Sequence, residues 1–454
     1  MKKKLLPALI VTGLIILVVI IMGITALINK YTPTKKTEDL KEYFNISSDD
    51  EAALIVDNEL SDYKAKIIDK KIYVDYKFVH DSLNSRFYWD ANENVLLYTT
   101  ASDIISAAAD SNSYSITKQT NDFGYPIVKA TSDSALIALD YVKQYSNITF
   151  KSYDDPARIV ITSKWDEIDS ATVSKSTQVR VKGGIKSPIL KEVKKDDKIT
   201  ILDSGDKWDK VATEDGVIGY IKRKALSESK KTKLTNPDYE EETFTHIKKD
   251  KDICLAWNQV TSQSANSKVP QVISSTKGIN VMSPTWFYLN DNNGNLADIA
   301  SKDYVSYCHS QGIEVWGLFS NFENTDVDAA YVLTHTSTRT TLINQIMSAA
   351  FNYELDGVNI DFENITEAAY GDSYIEFIRE LAIKCHNNGI SLSVDVTVPA
   401  SFNKFFNRSD MANFADYIVI MGYDEHYKGS DAGSVSSIPW VTEGVESTLK
   451  EVPA

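Results

Sequence analysis

Cysteine and histidine are scarce in this 454-residue sequence, which has three cysteines and six histidines. Cys254, Cys308 and Cys385 lie far apart in apolar or helical runs, and no two of them have the short spacing of a metal-binding pair. The histidines form no H-E-x-x-H pattern. The sequence therefore predicts no metal site, no cofactor and no disulfide, and the cysteines are interpreted as small core residues.

An excess of positive charge is also missing. The chain has 48 lysines and arginines against 63 acidic residues, a formal net charge of −15. Because phosphate binding needs a basic surface, nucleic acid is excluded as an expected partner. The hydrophobic fraction of 43% is enough for several domains with their own cores, two to four at this length.

A long apolar run stands at the N-terminus. Three lysines follow Met1, and Leu5–Ile28 then carries no charge. This run exceeds the roughly 20 residues that cross a bilayer, and lysines before such a helix stay cytoplasmic. The expectation is a cytoplasmic tail (1–4), a single-pass membrane anchor (5–28), a polar stalk (29–51) and an extracellular remainder. A cleaved signal peptide is the alternative.

Residues 52–165 are predicted to form a duplicated mixed α/β module. Its copies, Lys71–Thr100 and Ser134–Lys164, each contain a short helical pattern, an aromatic strand, an Asp-rich turn and an apolar strand. The arrangement resembles the copper amine oxidase N-terminal-like module, which is a non-catalytic domain. The resemblance implies no copper ligands.

Residues 173–226 contain short predicted strands separated by turn residues. The phrase D-G-V-I-G-Y-I at Asp215–Ile221, with Trp208 upstream, resembles a bacterial SH3-like domain, a small all-β barrel. The resemblance implies a module that accompanies cell-wall hydrolases and binds peptide stems. A spacer without a ligand is an equally favoured alternative. The charged run 227–246 is predicted to be a solvated linker.

The most informative stretch is Tyr353–Ile365, Y-E-L-D-G-V-N-I-D-F-E-N-I. Polar and apolar residues alternate in it, Asn359, Asp361 and Glu363 with Val358, Ile360 and Phe362. A period of two is that of a strand, so one face is apolar and the other carries an amide and two carboxylates. Two carboxylates this close in a shielded site cannot both ionise freely, and one is suited to hold a proton. The pattern predicts an acid/base pair.

This run resembles the glycoside hydrolase family 18 signature D-G-x-D-x-D-x-E, which starts here at Asp356. The resemblance implies that Glu363 is the general acid/base and that Asp361 orients the acetamido group of the substrate, which acts as the nucleophile. Asn359 departs from the chitinase pattern, where Asp is usual. Spore-cortex and cell-wall members of the family often read D-G-V-N-I-D-F-E, as this chain does.

From residue 247 onward, predicted strands alternate with predicted helices, which favours a (β/α)8 barrel. The phrase M-G-Y-D, Met421–Asp424, resembles the sixth-strand motif of the family, where Tyr423 and Asp424 would contact the acetamido group and the reacting sugar. Six strands are readable before the sequence ends. The expectation is therefore a multidomain protein whose barrel (247–454) is C-terminally incomplete, from a longer parent chain.

The sequence thus favours a membrane-anchored extracellular glycosidase that acts on N-acetylglucosamine-containing polysaccharide by a substrate-assisted retaining mechanism. Peptidoglycan is preferred over chitin because of Asn359, the anchor and the SH3-like module. A chitinase, or a lectin-like wall protein without activity, remains the alternative. The predicted catalytic residues are Glu363, Asp361 and Tyr423, and the predicted substrate-binding residues are Asn359, Asp424, Met421 and Asp356.

Overall fold

The structure is a computed structural model that describes residues 2–363, 365 and 370–452, with side chains from residue 9 onward. Parts of three predicted features lie outside the described residues. These parts are Met1 of the cytoplasmic tail, Asn364 of the stretch Tyr353–Ile365, and residues 366–369, 453 and 454 of the barrel. The chain forms two compact units. One comprises Met1–Phe78 and Ala138–Glu240, and the other comprises Val79–Ile137 and Glu241–Ala454.

The elements up to residue 162 are short, except for the first helix. The helices are α1 (Lys2–Tyr31), α2 (Leu40–Tyr43), α3 (Tyr76–Ser82) and α4 (Leu139–Gln144). The strands are β1 (Glu51–Val56), β2 (Glu59–Ile68), β3 (Lys71–Asp75), β4 (Phe87–Asp90), β5 (Val95–Thr99), β6 (Ile104–Ala108), β7 (Ser113–Ile116), β8 (Gln119–Asp122), β9 (Val128–Ala130), β10 (Ala135–Ala138), β11 (Thr149–Tyr153) and β12 (Arg158–Thr162).

Residues 167–233 form strands, and the chain from residue 255 alternates strands with helices. The first group is β13 (Glu167–Thr172), β14 (Thr177–Arg180), β15 (Ile189–Val193), β16 (Lys198–Asp203), β17 (Trp208–Thr213), β18 (Ile218–Lys222) and β19 (Lys230–Lys233). The second is β20 (Leu255–Asn258), α5 (Val269–Ser274), β21 (Val281–Leu289), β22 (Leu296–Asp298), α6 (Lys302–Ser310), β23 (Glu314–Ser320), α7 (Ala329–Thr334), α8 (Thr336–Tyr353), β24 (Gly357–Asp361), α9 (Gly371–His386), β25 (Ser391–Thr397), α10 (Arg408–Phe414), β26 (Tyr417–Met421) and α11 (Ile438–Thr448).

Helix α1 is 30 residues long. Its segment Leu9–Tyr31 has a mean hydropathy of 2.9, and by length and composition it is able to cross a membrane. A signal sequence near an N-terminus has the same properties. The structure therefore shows an apolar N-terminal helix with the length and composition of a membrane anchor or of a leader.

The first unit contains two sheets. In one, the strands lie in the order β11-β12-β1-β2-β3, with β1 parallel to β12 and the other pairs antiparallel. The other is antiparallel in the order β15-β14-β18-β17-β16-β13-β19. Strand β19 lies inside the predicted linker 227–246. All of its residues are exposed and it pairs with β13, so it has no apolar pattern by which sequence reasoning could find it.

The second unit is built on a parallel sheet in the order β20-β21-β23-β24-β25-β26, with β22 added antiparallel to β21. These six strands are the core of a half-barrel and correspond in number and order to the six strands readable in the sequence. The second of them, β21, lies further along the chain than the predicted strand 278–282 and shares only two residues with it. Gly312 and Gly389, which end the turns before two of the strands, have φ of +71° and +68°. The left-handed conformation explains glycine at both positions.

The cysteines are only partly as predicted. Cys308 and Cys385 are buried among the helices and strands of the half-barrel, but Cys254 is exposed just before β20. The interpretation of Cys254 as a core residue was wrong, because β20 is an edge strand of its sheet and its start is not covered.

Strands β4 to β8 form an antiparallel five-stranded sheet that packs against helices α8 and α9 within the second unit. The Tyr88 hydroxyl lies 2.9 Å from the Ser373 hydroxyl, and Thr99 donates a hydrogen bond of 2.7 Å to Glu376. Asp90 accepts from the backbone N–H of Thr336 at 2.7 Å. An acidic side chain from this sheet thus caps the N-terminus of α8, where the helix dipole favours negative charge.

Candidate active site

Strand β24 has one apolar and one polar face. Val358, Ile360 and Phe362 are buried in the main core of the second unit. A Cβ atom at Gly357 would lie 2.6 Å from the Trp316 ring, so only glycine allows β24 to lie this close to β23. The apolar side chains fix the facing of the strand, and Asn359, Asp361 and Glu363 therefore point away from the helices.

Asn359 lies deepest of these polar residues and is fully buried. Its amide oxygen accepts hydrogen bonds from the Trp257 indole and from the Ser283 hydroxyl, both at 3.0 Å. Trp257 is on β20 and Ser283 is on β21, so the contacts cross the interior of the half-barrel. The structure brings Asn359 beneath the other polar residues rather than to the surface of the cleft.

Asp361 and Glu363 lie at the carboxyl end of β24. Burial, followed by the charges of Glu363 and Glu323, raises the pKa of Asp361 to about 7. Burial, followed by the charges of Asp424 and Glu323, raises the pKa of Glu363. The Asn321 amide oxygen accepts from the Glu363 backbone N–H at 3.0 Å and fixes the chain at the acid. Both carboxyl groups are therefore easier to protonate than free ones, as suits an acid/base site.

Tyr423 and Asp424 follow β26 and face the same cleft as Glu363, which has a volume of about 510 Å³. Burial and the neighbouring carboxylates raise the pKa of Tyr423 to about 12, so its hydroxyl keeps its proton and can donate a hydrogen bond. Asp424 has φ of +59°, a left-handed conformation that Asp tolerates better than most residues. The cleft is also lined by Met421, Phe402, Tyr427 and Trp440.

Asp356 lies at the opposite end of β24, before its first residue. Its carboxylate lies 2.8 Å from a ring nitrogen of His309 and accepts from the Val315 backbone N–H at 2.8 Å. The structure does not bring Asp356 to the cleft. It ties the start of β24 to β23 and to α6.

Sequence reasoning missed Glu323, Asn321, Trp257 and Asp395. Glu323 follows β23, where the Ser320 hydroxyl lies 2.6 Å from both of its carboxylate oxygens. Asp395 is buried in the middle of β25. The signal for Asp395 was present, because Ser391, Ser393 and Asp395 alternate with Leu392 and Val394 as the polar residues of β24 do. Trp257 and Asn321 offer no comparable signal, since their contacts are non-local.

The arrangement can donate a proton from one carboxyl group while a second carboxylate stabilises positive charge nearby. Among the described residues, no group of three or more His, Cys, Asp or Glu side chains is placed to hold a metal ion. Acidic side chains at the carboxyl ends of parallel strands are typical of β/α-barrel enzymes. Fold and site together place the second unit in that class.

The C-terminal part of the chain is similar to known glycoside hydrolases. Residues 316–451 match the model of the glycosyl hydrolases family 18. The chain is 24% identical over 178 residues to the uncharacterized glycosylase YvbX of Bacillus subtilis, covering 36% of this chain and 51% of that protein. It is 25% identical over 171 residues to the cortical fragment-lytic enzyme of the same organism, covering 36% and 39%.

The crystal structure of the Bacillus megaterium spore cortex-lytic enzyme SleL matches with a TM-score of 0.38 at 19% identity, over 44% of this chain and 47% of that one. The matches thus span about half the length of each of these relatives, or less. The match to glycoside hydrolase family 18 lies in the C-terminal part of the chain and covers less than half of it.

Proposed function

We propose that the chain is a membrane-anchored extracellular glycosidase that hydrolyses N-acetylglucosamine-containing polysaccharide, with peptidoglycan as the preferred substrate. Family membership supports glycoside hydrolysis. The name of the cortical fragment-lytic enzyme supports a wall substrate, and helix α1 is suited to hold the chain at the membrane.

One observation carries the proposal: Asp361 and Glu363, both with raised pKa, end one strand and face Tyr423 and Asp424. The raised pKa of Glu363 makes its carboxyl group easier to protonate than a free one, which favours the role of general acid. A second carboxylate beside it can stabilise a cationic intermediate. A binding protein needs neither property.

The mechanism follows from these positions. Glu363 protonates the glycosidic oxygen while the acetamido oxygen of the substrate attacks the anomeric carbon. Asp361 orients the acetamido nitrogen and offsets the positive charge that develops on it, and Tyr423 donates a hydrogen bond to the acetamido oxygen. Water then opens the cyclic intermediate with Glu363 as the base, and the configuration is retained.

The remaining predicted residues take supporting roles. Asp424 and Met421, which line the cleft, contact the reacting sugar. Asn359 supports the site without reaching the surface of the cleft, since it is buried and held by Trp257 and Ser283.

The modules before the half-barrel complete the proposal. The antiparallel sheet of β13 to β19 contains the SH3-like region, residues 173–226, which we assign to wall binding through peptide stems. The region 52–165 keeps its assignment as a module that resembles the copper amine oxidase N-terminal-like domain, without copper.

The test is the release of reducing ends from purified peptidoglycan and from chitin oligosaccharides by the full chain. Glu363→Gln keeps the shape of the acid but cannot donate its proton, and should lower turnover about 10²–10⁴-fold while substrate binding survives. Glu446→Gln, an exposed change on α11 outside the cleft, is the matched control and should leave turnover unchanged.

Cleavage of chitin oligosaccharides with intact peptidoglycan would assign a chitinase. Binding without cleavage by the wild type would assign a lectin-like wall protein. Equal rates for wild type and Glu363→Gln would place the acid elsewhere.

A further inference from the structure

Asp395 is a buried carboxyl group that the proposed mechanism does not use. Val394 pairs with Ile360 on the neighbouring parallel strand, so the next residues along the two strands, Asp395 and Asp361, come side by side. Asp395 is 2% exposed, and neither of its carboxylate oxygens has a hydrogen-bond partner among the described residues. A buried charged group in this state is costly, so the group needs an explanation.

Other buried polar atoms near Asp395 also lack a hydrogen-bond partner among the described residues. The oxygen of the Asn359 amide is held by Trp257 and Ser283, while its nitrogen is buried without a partner in the described structure. One carboxylate oxygen of Asp361 and the Tyr374 hydroxyl are likewise buried without a hydrogen-bond partner in the described structure. Asn359 and Asp361 on the neighbouring strand thus contribute unpaired groups beside Asp395, and Tyr374 of α9 interacts with it electrostatically.

The electrostatics of this cluster favour a proton on Asp395. Burial, followed by the charge of Asp361, raises the pKa of Asp395 well above its usual range. The nearby amide of Asn359 and indole of Trp257 offset the rise only in part, and neither meets the geometry of a hydrogen bond to Asp395. The ionisable groups that act on Asp395 are Asp361 and Glu363 at the end of β24, Tyr374 on α9, and Tyr423 after β26. All of these are acids, and within the described part of the chain no basic side chain acts on Asp395 to neutralise its charge.

We infer that Asp395 is a positioning residue of the active site, a protonated carboxyl group that donates a hydrogen bond to Asp361 from the neighbouring strand. The inference rests on the proposed function. Two carboxyl groups that share one proton keep Asp361 negative and oriented, because a hydrogen bond to the charged form favours that form. Asn359 has no carboxyl proton to share with Asp361. Asp395 on β25 therefore supplies the second carboxyl group of the pair.

Two variants of Asp395 separate hydrogen-bond donation from packing. Asp395→Asn keeps an N–H donor in the same place, whereas Asp395→Ala removes it. Without the donor the pKa of Asp361 rises, so the acid limb of the kcat/KM–pH profile should move upward by about one pH unit in Asp395→Ala and stay in place in Asp395→Asn.

Ser391→Ala is the matched control, since Ser391 is a buried polar residue on the same strand and distant from the cleft. It should leave the acid limb in place. Equal shifts in Asp395→Asn and Asp395→Ala, or no shift in either, would overturn the inference, because a structural role predicts no dependence on the donor.

A second measurement does not depend on catalysis. The full chain labelled with ¹³C in its aspartate carboxyl groups is titrated by NMR, and the signal lost in Asp395→Asn identifies Asp395. The signal should be that of a protonated carboxyl group at neutral pH. An ionised Asp395 at neutral pH overturns the inference even if the wild type is active. A protonated Asp395 in a chain that cleaves no substrate supports the carboxyl pair and rejects the proposed function separately.

Discussion

Phe362 and Phe377 lie with their ring centroids 5.4 Å apart and their planes 14° from parallel. The contact joins the end of β24 to the middle of α9. It fixes the facing of the strand, because Phe362 can point to the helix only if Asp361 and Glu363 point away from it. The candidate acid/base residues are therefore positioned by an apolar contact.

Removing this contact should destabilise the second unit. Phe362→Ala is expected to lower the free energy of unfolding by about 3–5 kcal/mol, the cost of deleting a core aromatic side chain. Phe402→Ala is the control, because Phe402 is 80% exposed and its loss should cost less than about 0.5 kcal/mol. Denaturant unfolding of the detergent-solubilised chain measures both, and similar values for the two would place Phe362 at the surface.

The raised pKa of Asp361 predicts a pH-dependent gain of stability when the carboxyl group is removed. Its pKa rises from 3.8 to about 7 in the folded state, so the folded chain binds a proton between these values that the unfolded chain has lost. Stability is therefore lost as pH rises through this window. Asp361→Asn should equal wild type near pH 4 and exceed it by about 2–4 kcal/mol near pH 8, at about 1.4 kcal/mol per unit of pKa.

The measurement is the melting temperature of both chains across this pH range. Activity should fall in the same variant, as expected where an active site is held at the expense of stability. A constant difference between the two chains from pH 4 to pH 8 would show that Asp361 is ionised in the same way in both states.

Arg339 and Glu380 form a buried ion pair between α8 and α9, with the guanidinium Nε donating at 3.0 Å. Arg339→Met should cost about 3–5 kcal/mol, because it leaves Glu380 buried without its partner. The double variant Arg339→Met/Glu380→Leu should recover most of the loss, since no uncompensated charge remains. A double variant as unstable as the single one would show that the pair contributes through packing.

Helix α1 is predicted to place everything after it outside the cell. Protease added to intact cells or spheroplasts should digest the region 173–226, while a cytoplasmic marker protein survives. N-terminal sequencing of the chain recovered from membranes distinguishes the two roles of the helix. A retained start before Leu5 indicates an anchor, and a start beyond Ile28 indicates a cleaved leader. Full protection of residues 173–226 would rule out the predicted topology.

The strands of the half-barrel could be predicted because each is an apolar or alternating run of strand length that adjoins a helical pattern. The same alternation in β24 predicted which side chains are buried, and Val358, Ile360 and Phe362 are buried. These signals are local, so a single sequence contains them.

The packing of β4 to β8 on α8 and α9 could not be predicted in this way. It depends on contacts such as Tyr88 with Ser373, separated by 285 residues, and on charged residues that look solvent-exposed in the helix pattern. Glu376 is buried and accepts a hydrogen bond from Thr99 of this sheet, and Arg379 is buried with Asp410 of α10 and the backbone of Arg86, just before β4, as partners. The partners of Asn359 are non-local for the same reason, since Trp257 is 102 residues away.

The packing of the β4–β8 sheet on α8 and α9 also sets the order of events during synthesis. Tyr88 leaves the ribosome 285 residues before Ser373, a delay of roughly 15–60 s at typical elongation rates of 5–20 residues per second. For that interval the aromatic face of the sheet has nothing to pack against. The β4–β8 sheet is therefore made long before the helices that cover it, and this part of the second unit can be completed only after α8 and α9 have been synthesised.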